Sequence, residues 1–135
     1  MQQTGRGKFI TMEGGEGSGK STQISLLVDA FEQADLCAIP TREPGGTDGA
    51  EAIRDLLVQG DAARWDPIAE TLLFYAARRQ HLAKVVWPEI ALGTHVVCDR
   101  FADSTRVYQG VGKGLGDEYV MALHRLTIGT FQPDL

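Results

Sequence analysis

Apolar and polar residues alternate along the chain in a pattern that predicts short buried strands separated by helices. Residues 8–13 form a short run of apolar and β-favouring side chains, which is typical of a strand. Apolar residues then recur at the 3-4-7 spacing of one helix face, which predicts a helix over residues 20–34. Residues 36–40 and 94–98 are two further apolar runs with the length of buried strands.

The remaining helices are predicted from their end signals and from apolar spacing. Asp66 is typical of an N-cap and Pro67 of a first helical position, so a long helix is expected from there to about residue 92. Within it, Pro88 is expected to kink or split the helix, and Gly93 suits its C-terminal cap. We also predict helices over residues 50–58 and 116–128, a loop over residues 42–48, and the approach to another strand over residues 131–135.

Strands that alternate with helices predict an α/β fold, a three-layer sandwich around a parallel sheet. Ligands of such sheets bind at the carboxyl ends of the strands. The glycine loop (residues 14–21), the loop over residues 42–48 and the dipeptide Asp99-Arg100 all follow predicted strands. We therefore expect these three segments to meet at one cleft.

Composition and charge narrow the possible partners. The chain has 135 residues and a formal net charge of −5, so we expect one domain (residues 8–135) and no nucleic-acid or membrane partner. Residues 1–7 have no signal-peptide core and are expected to be a flexible leader. Cys37 and Cys98 lie in apolar runs without metal-ligand spacing, so buried free thiols and a cytoplasmic location are expected.

The glycine loop carries the most specific chemistry. Its sequence, GGEGSGKS, matches the pattern G-x-x-x-x-G-K-[ST], with a predicted strand before it and a predicted helix after it. Backbone N–H groups and the positive end of the helix dipole would bind phosphate there. Lys20 would reach the terminal phosphates of a nucleoside triphosphate, and the Ser21 hydroxyl would ligate Mg²⁺. The predicted ATP-binding residues are Gly14, Gly15, Glu16, Gly17, Ser18, Gly19, Lys20, Ser21 and Thr22.

Two residue pairs suggest a second substrate, although each also has a purely structural interpretation. The Asp99 carboxylate could hold a metal-bound water while Arg100 binds a phosphate; the alternative is a surface ion pair that caps a strand. Phe74 and Arg78 lie four residues apart and share a helix face, so they could stack on a nucleobase and hydrogen-bond to it. A core phenylalanine beside a solvated arginine is the alternative.

Four motifs in this order resemble those of bacterial thymidylate kinases. They are the glycine loop, TREPGGT at residues 41–47, LLFYAARRQH at residues 72–81 and DRFADSTRVYQG at residues 99–110. The resemblance runs from about Lys8 to Leu135. It implies a fold like that of P-loop nucleoside monophosphate kinases, phosphoryl transfer from Mg-ATP to dTMP giving dTDP and ADP, and a homodimer.

The resemblance also implies roles for individual residues in binding the base and the sugar. Phe74 would stack on the thymine, and Arg78 would hydrogen-bond to its carbonyl oxygen. Thr105 would contact the base edge with Ser104 beside it, and Tyr108 would pack against the sugar.

Further implied roles concern the phosphates and the reaction. Arg100 and Arg54 would hold the dTMP phosphate, with Gln109 close to it. Glu43 and Pro44 would shape the acceptor pocket, with a cis bond before the proline. Catalysis would depend on Lys20, Arg100 and Glu16, the last of which would approach the 3′-hydroxyl or nearby water and magnesium.

One departure from the family pattern concerns the transition state. Some members carry an arginine in the phosphate loop where this chain has Gly17, and members without it use an arginine in a lid after the fourth strand. We therefore expect the chain to match an N-terminal portion of such a kinase that ends before the lid, with the C-terminal part absent. A catalytically incomplete nucleotide-binding fragment and a kinase for another small acceptor are the alternatives.

Overall fold

The structure is a computed structural model that describes residues 5–15, 17–101 and 116–135. In these residues, strands and helices alternate as the sequence predicts. The elements are β1 (Phe9–Met12), α1 (Lys20–Gln33), β2 (Ala38–Arg42), α2 (Asp48–Val58), a 3₁₀ turn (Ala62–Arg64), α3 (Pro67–His81), a π turn (Leu82–Val86), α4 (Trp87–Ala91), β3 (His95–Asp99) and α5 (Asp117–Thr127).

The three described strands form a parallel sheet in the order β1-β3-β2. The register pairs Met12 and Arg42 with Asp99, so all three strands end at the same level. Successive residues of a strand point to opposite faces. Val96 accordingly packs in one core with α3, α4 and α5, whereas Val97 packs in a second core with α1. The predicted three-layer α/β fold is therefore confirmed.

The second strand and the second helix begin at positions different from those predicted. β2 covers Ala38–Arg42 rather than residues 36–40, because the turn that ends α1 holds Leu36, whose N–H donates to the Phe31 carbonyl. Pro40 fits within β2 because, among the described strands, β2 pairs with β3 alone. α2 begins at Asp48 rather than Ala50, since the Thr47 hydroxyl accepts the Ala50 N–H and caps the helix there.

The long helix is split, as the position of Pro88 predicts. Proline lacks an N–H and its ring clashes with the carbonyl four residues earlier, so the preceding turn widens to a π turn. Asp66 caps the start of α3 by accepting the N–H groups of Ile68 and Ala69. At the other end Gly93 has φ 91°, and the N–H of Thr94 donates to the Glu89 carbonyl, which closes a Schellman turn.

The two ends of the described chain lie beside β1. Leu135 accepts the Thr11 N–H and the Asp134 N–H donates to Phe9, which agrees with the predicted approach to a strand. Arg6, which the sequence assigned to the leader, forms an ion pair with Asp134. Within residues 5–15, 17–101 and 116–135, no helix combines the length and the apolarity needed to cross a bilayer.

The two cysteines differ in burial, which corrects one prediction. Cys98 is buried in β3, as expected, but Cys37 is exposed. The reason is the shift of β2: Cys37 lies before the strand rather than within it. Burial raises the pKa of the Cys98 thiol well above its ordinary value.

Candidate active site

The carboxyl ends of the three strands meet at a cavity of about 670 Å³. The predicted convergence of the glycine loop, the loop after β2 and Asp99-Arg100 is therefore confirmed. The cavity is lined by Gly15, Gly17, Ser18, Gly19, Lys20, Ser21, Thr22, Arg42, Glu43, Pro44, Arg54, Leu57, Val58, Glu70, Phe74, Asp99 and Arg100.

The glycine loop turns sharply into α1. Gly17 and Gly19 have φ values of 77° and 85°, in the left-handed region that side chains other than glycine rarely adopt. The Ser18 hydroxyl donates to the Gly15 carbonyl at 2.7 Å, which closes the turn. The first turn of α1 follows at once, so its N–H groups and the positive end of its dipole lie at the cavity.

Lys20 and Asp99 form an ion pair inside the cavity. The distance from Lys20 Nζ to Asp99 Oδ1 is 2.6 Å, and the two side chains are 12% and 31% exposed. The first residue of α1 and the last residue of β3 are thus joined across the phosphate-binding end of the sheet. Ser21 lines the same cavity, so a hydroxyl and a carboxylate oxygen are available there, and both are ligand types that Mg²⁺ prefers.

Arg100 has an unusual backbone conformation. Its φ is 68°, in the left-handed region, where a non-glycine residue costs about 1–2 kcal/mol. Its N–H donates to the Met12 carbonyl, which ties the end of β3 to β1. A strained residue that lines a cavity is a frequent feature of functional sites.

The other side of the cavity is built from α2, α3 and the loop after β2. Phe74 lines it from α3, and Arg54 lines it from α2 while donating to the Pro44 carbonyl at 2.9 Å. The bond between Glu43 and Pro44 is cis, as predicted. An aromatic ring and a guanidinium group therefore line the same cavity as the glycine loop.

Arg78 lies one turn along α3 from Phe74. It is not one of the described residues that line the cavity. Its Nε donates to Glu43 Oε1 at 2.6 Å, and each side chain of this ion pair is 3% exposed. The guanidinium also lies 4.7 Å from the Phe101 ring centroid and 5.0 Å from that of Tyr75. Burial alone would lower the pKa of Arg78, but the charge and hydrogen bond of Glu43 outweigh it and raise this pKa.

Arg42 forms a second arginine–glutamate pair at the rim. Its Nη2 lies 2.9 Å from Glu51 Oε2, and both side chains are more than a third exposed. The hydrogen bond from Arg42, helped by the Gly46 N–H, lowers the pKa of Glu51. Neither residue was singled out from the sequence, although Arg42 stands in the TREPGGT motif and belongs to the cavity wall.

The structure brings most of the predicted site residues together. Five of them lie outside the described residues: Glu16, Ser104, Thr105, Tyr108 and Gln109. Gly14 is a predicted ATP-binding residue, but it is not one of the described residues that line the cavity. It begins the glycine loop with φ 153°. Sequence reasoning missed Glu70, Leu57 and Val58; Glu70 could have been found, because it lies four residues before Phe74 on the same helix face.

Comparison with known proteins identifies the family. The thymidylate kinase family model matches residues 12–135. The chain belongs to the thymidylate kinase family. A thymidylate kinase of Rhizorhabdus wittichii is 54% identical over 128 residues, which are 95% of this chain and 62% of that protein. A thymidylate kinase of Caulobacter vibrioides is 54% identical over 130 residues, with coverage of 96% and 62%.

A solved thymidylate kinase structure supports the same assignment. The crystal structure from Ehrlichia chaffeensis superposes with a TM-score of 0.88 at 39% sequence identity, covering 98% of this chain and 74% of that one. The resemblance inferred from the four motifs is therefore confirmed. This chain spans about three fifths of the length of the two curated thymidylate kinases named above.

Proposed function

We propose that the chain is part of an ATP-dependent thymidylate kinase that transfers the γ-phosphoryl group of ATP to dTMP, giving dTDP and ADP. The observation that carries this proposal is the cavity of about 670 Å³, which is lined both by the phosphate-binding loop and by Phe74, Arg54 and Arg100. Such a cavity can hold a phosphate donor and a nucleotide acceptor at once. Membership of the family supports the choice of dTMP as the acceptor.

On the donor side, Lys20 and the amides of the glycine loop would bind the β- and γ-phosphates. Because Lys20 Nζ lies 2.6 Å from Asp99 Oδ1, it would exchange this carboxylate for phosphate when ATP binds. Ser21 and Asp99 would hold Mg²⁺, directly or through water. The ion would supply positive charge for the phosphate oxygens.

On the acceptor side, Arg54 and Arg100 would bind the dTMP phosphate and offset its repulsion from ATP. Phe74 would stack on the thymine ring. The role at the thymine edge that the family resemblance implies for Arg78 would require its side chain, 3% exposed in its pair with Glu43, to become accessible from the cavity. The same proposal includes roles for Glu16, Ser104, Thr105, Tyr108 and Gln109, which rest on the family resemblance alone. No side chain needs to act as a nucleophile, because positioning and charge stabilisation account for most catalysis of phosphoryl transfer.

A homodimer and a cytoplasmic location complete the proposal. Leu72 on α3 is 49% exposed, so an apolar side chain of the long helical segment is available to a second copy. Cys37 and Cys98 are not joined by a disulfide, which is consistent with a reducing compartment.

The direct test is dTMP-dependent release of ADP in a coupled assay, with dUMP, AMP and shikimate as alternative acceptors. We expect release with dTMP and a loss of about 10²–10³ in kcat for Lys20→Ala, because a positioned cationic donor is removed. ATP binding in calorimetry without ADP release for any acceptor would instead favour a nucleotide-binding fragment. Wild-type turnover in Lys20→Ala would refute the assignment of the glycine loop.

A further inference from the structure

His81 occupies a closed site next to Glu43, a residue of the cavity wall. It is the last residue of α3 and its side chain is 0% exposed. Its Nδ1 lies 2.8 Å from Glu43 Oε2, and its Nε2 lies 2.7 Å from Thr41 Oγ1. Both ring nitrogens therefore have a partner from β2 or from the loop that follows it.

The backbone of the same loop encloses the imidazole. A Cβ built on Gly46, which has φ 93°, would collide with His81 Cδ2 and would lie 2.7 Å from its Nε2 and 2.8 Å from Thr41 Oγ1. Only a glycine lets the loop approach this closely. The position of His81 is thus set on three sides, by Thr41, Glu43 and Gly46.

Glu43 connects this closed site with the cavity. One carboxylate oxygen accepts from Arg78 at 2.6 Å and the other meets His81, while the residue itself belongs to the cavity wall. A carboxylate held at both oxygens cannot rotate without breaking one of these bonds. The position of His81 therefore restricts that of Glu43, and Glu43 restricts that of Arg78.

The cluster is better explained by hydrogen bonding than by metal binding. Glu43, His81 and Cys98 have potential ligand atoms within 4.8 Å of one another. Glu43 and His81, however, already bond to each other and to Arg78 and Thr41. The Cys98 sulfur donates to the Arg100 carbonyl at 3.1 Å, and burial raises the pKa of this thiol, which disfavours the thiolate that a metal would need.

We propose that His81 is a positioning residue for the nucleotide acceptor, acting through Glu43 on Arg78 and on the adjacent cavity wall. This inference rests on the proposed function, because it assigns Arg78 and the wall at Glu43 to the acceptor. Because its side chain is 0% exposed, His81 itself would touch neither substrate. Its loss should raise the KM for dTMP while leaving the KM for ATP unchanged, since the glycine loop belongs to the other wall.

The test compares three substitutions of His81 in the intact chain. His81→Asn can keep an N–H near the position of Nδ1 and so preserve the bond to Glu43, whereas His81→Gln reaches the position of Nε2 and His81→Phe keeps only the ring volume. We expect the KM for dTMP to rise by about tenfold to a hundredfold in the Gln and Phe variants, which is the size of effect that follows when a binding group is displaced. In the Asn variant the KM for dTMP should rise by less than about threefold. The KM for ATP should stay within about twofold of wild type in all three.

A matched control separates positioning from a general loss of packing. Thr71→Val removes a buried hydrogen bond within α3, the one that the Thr71 hydroxyl donates to the Pro67 carbonyl. We expect it to lower Tm without changing the ratio of the two KM values. Equal increases of both KM values in His81→Gln, or an unchanged KM for dTMP, would overturn the proposal. If His81→Phe does not fold, the Asn and Gln variants decide, and identical behaviour of these two would overturn it as well.

Failure of the proposed function would be recognised separately. If the wild-type chain binds dTMP in calorimetry but releases no ADP with it, this result contradicts the kinase activity. The order of the dTMP Kd values in the His81 variants then tests the positioning role. Wild-type chain that does not bind dTMP at all overturns both proposals. Activity in the wild type together with unaltered His81 variants overturns only the positioning role.

Discussion

The buried pair Arg78–Glu43 gives the sharpest stability prediction. Each side chain is 3% exposed, and Nε lies 2.6 Å from Oε1. Glu43→Gln keeps the volume but leaves the guanidinium charge without its counter-charge, and breaking a buried pair at one partner costs about 3–5 kcal/mol. A domain of this size has a free energy of unfolding of about 5–15 kcal/mol, so the loss should lower Tm by roughly 10 °C or more.

A second pair in the same chain is the matched control. Arg42 and Glu51 have the same two residue types at 2.9 Å, but their side chains are 52% and 39% exposed. Glu51→Gln should cost about 1 kcal/mol or less, because solvent screens an exposed pair and the amide oxygen can still accept the Gly46 N–H.

Urea denaturation followed by circular dichroism measures both variants. We expect a clearly larger loss of unfolding free energy for Glu43→Gln than for Glu51→Gln. We also expect a Glu43→Met, Arg78→Met double variant to be more stable than Glu43→Gln, since removing both charges removes the uncompensated one. Equal losses in the two single variants would show that the burial of Arg78 and Glu43 does not control their interaction.

Three further predictions concern binding, thiol reactivity and pH. Phe74→Ala should raise the KM for dTMP by about tenfold or more with little change in the KM for ATP, because stacking on a base contributes about 1–3 kcal/mol. Equal increases of the two KM values would contradict the assignment of Phe74 to the dTMP site. In native protein the aromatic disulfide reagent DTNB should titrate Cys37 rapidly and Cys98 only after unfolding, since Cys37 is exposed whereas burial raises the pKa of the Cys98 thiol. Two rapidly reacting thiols in native protein would disprove this. Because Arg42 lowers the pKa of Glu51 in the folded state, this carboxylate stabilises the fold above its unfolded pKa, and the contribution is lost as the pH falls through the folded pKa. Unfolding free energies measured from pH 6 to pH 3 should therefore fall less steeply in Glu51→Gln than in wild type, and identical slopes would refute the linkage.

Local sequence signals predicted the elements but not all of their boundaries. The cap at Asp66, the break at Pro88 and the glycine at position 93 lie where the pattern indicates, because each acts on backbone groups within one helical turn. β2 was shifted by two residues, since its start depends on pairing with β3. Such pairing joins residues that are distant in the chain, so an apolar run alone does not determine it.

The candidate site shows the same division between local and distant contacts. The glycine loop could be assigned from eight consecutive residues, because its conformation and its phosphate-binding amides are local. The partner of Arg78 could not be assigned from the sequence, since Glu43 lies 35 residues away and reaches Arg78 through the packing of the loop after β2 on α3. Sequence spacing placed Arg78 beside Phe74; tertiary packing set it behind the cavity wall in an ion pair.

Periodicity and short motifs are local properties of the chain, so the α/β fold class, the phosphate-binding loop and the resemblance to thymidylate kinases could all be recognised in the sequence. The pairing of charges could not be recognised there, because Lys20 meets Asp99, and Arg78 meets Glu43 and through it His81, only in the folded chain. The energy of a charged group depends on its burial and on its partners, and both are set by contacts between segments that are far apart in the chain.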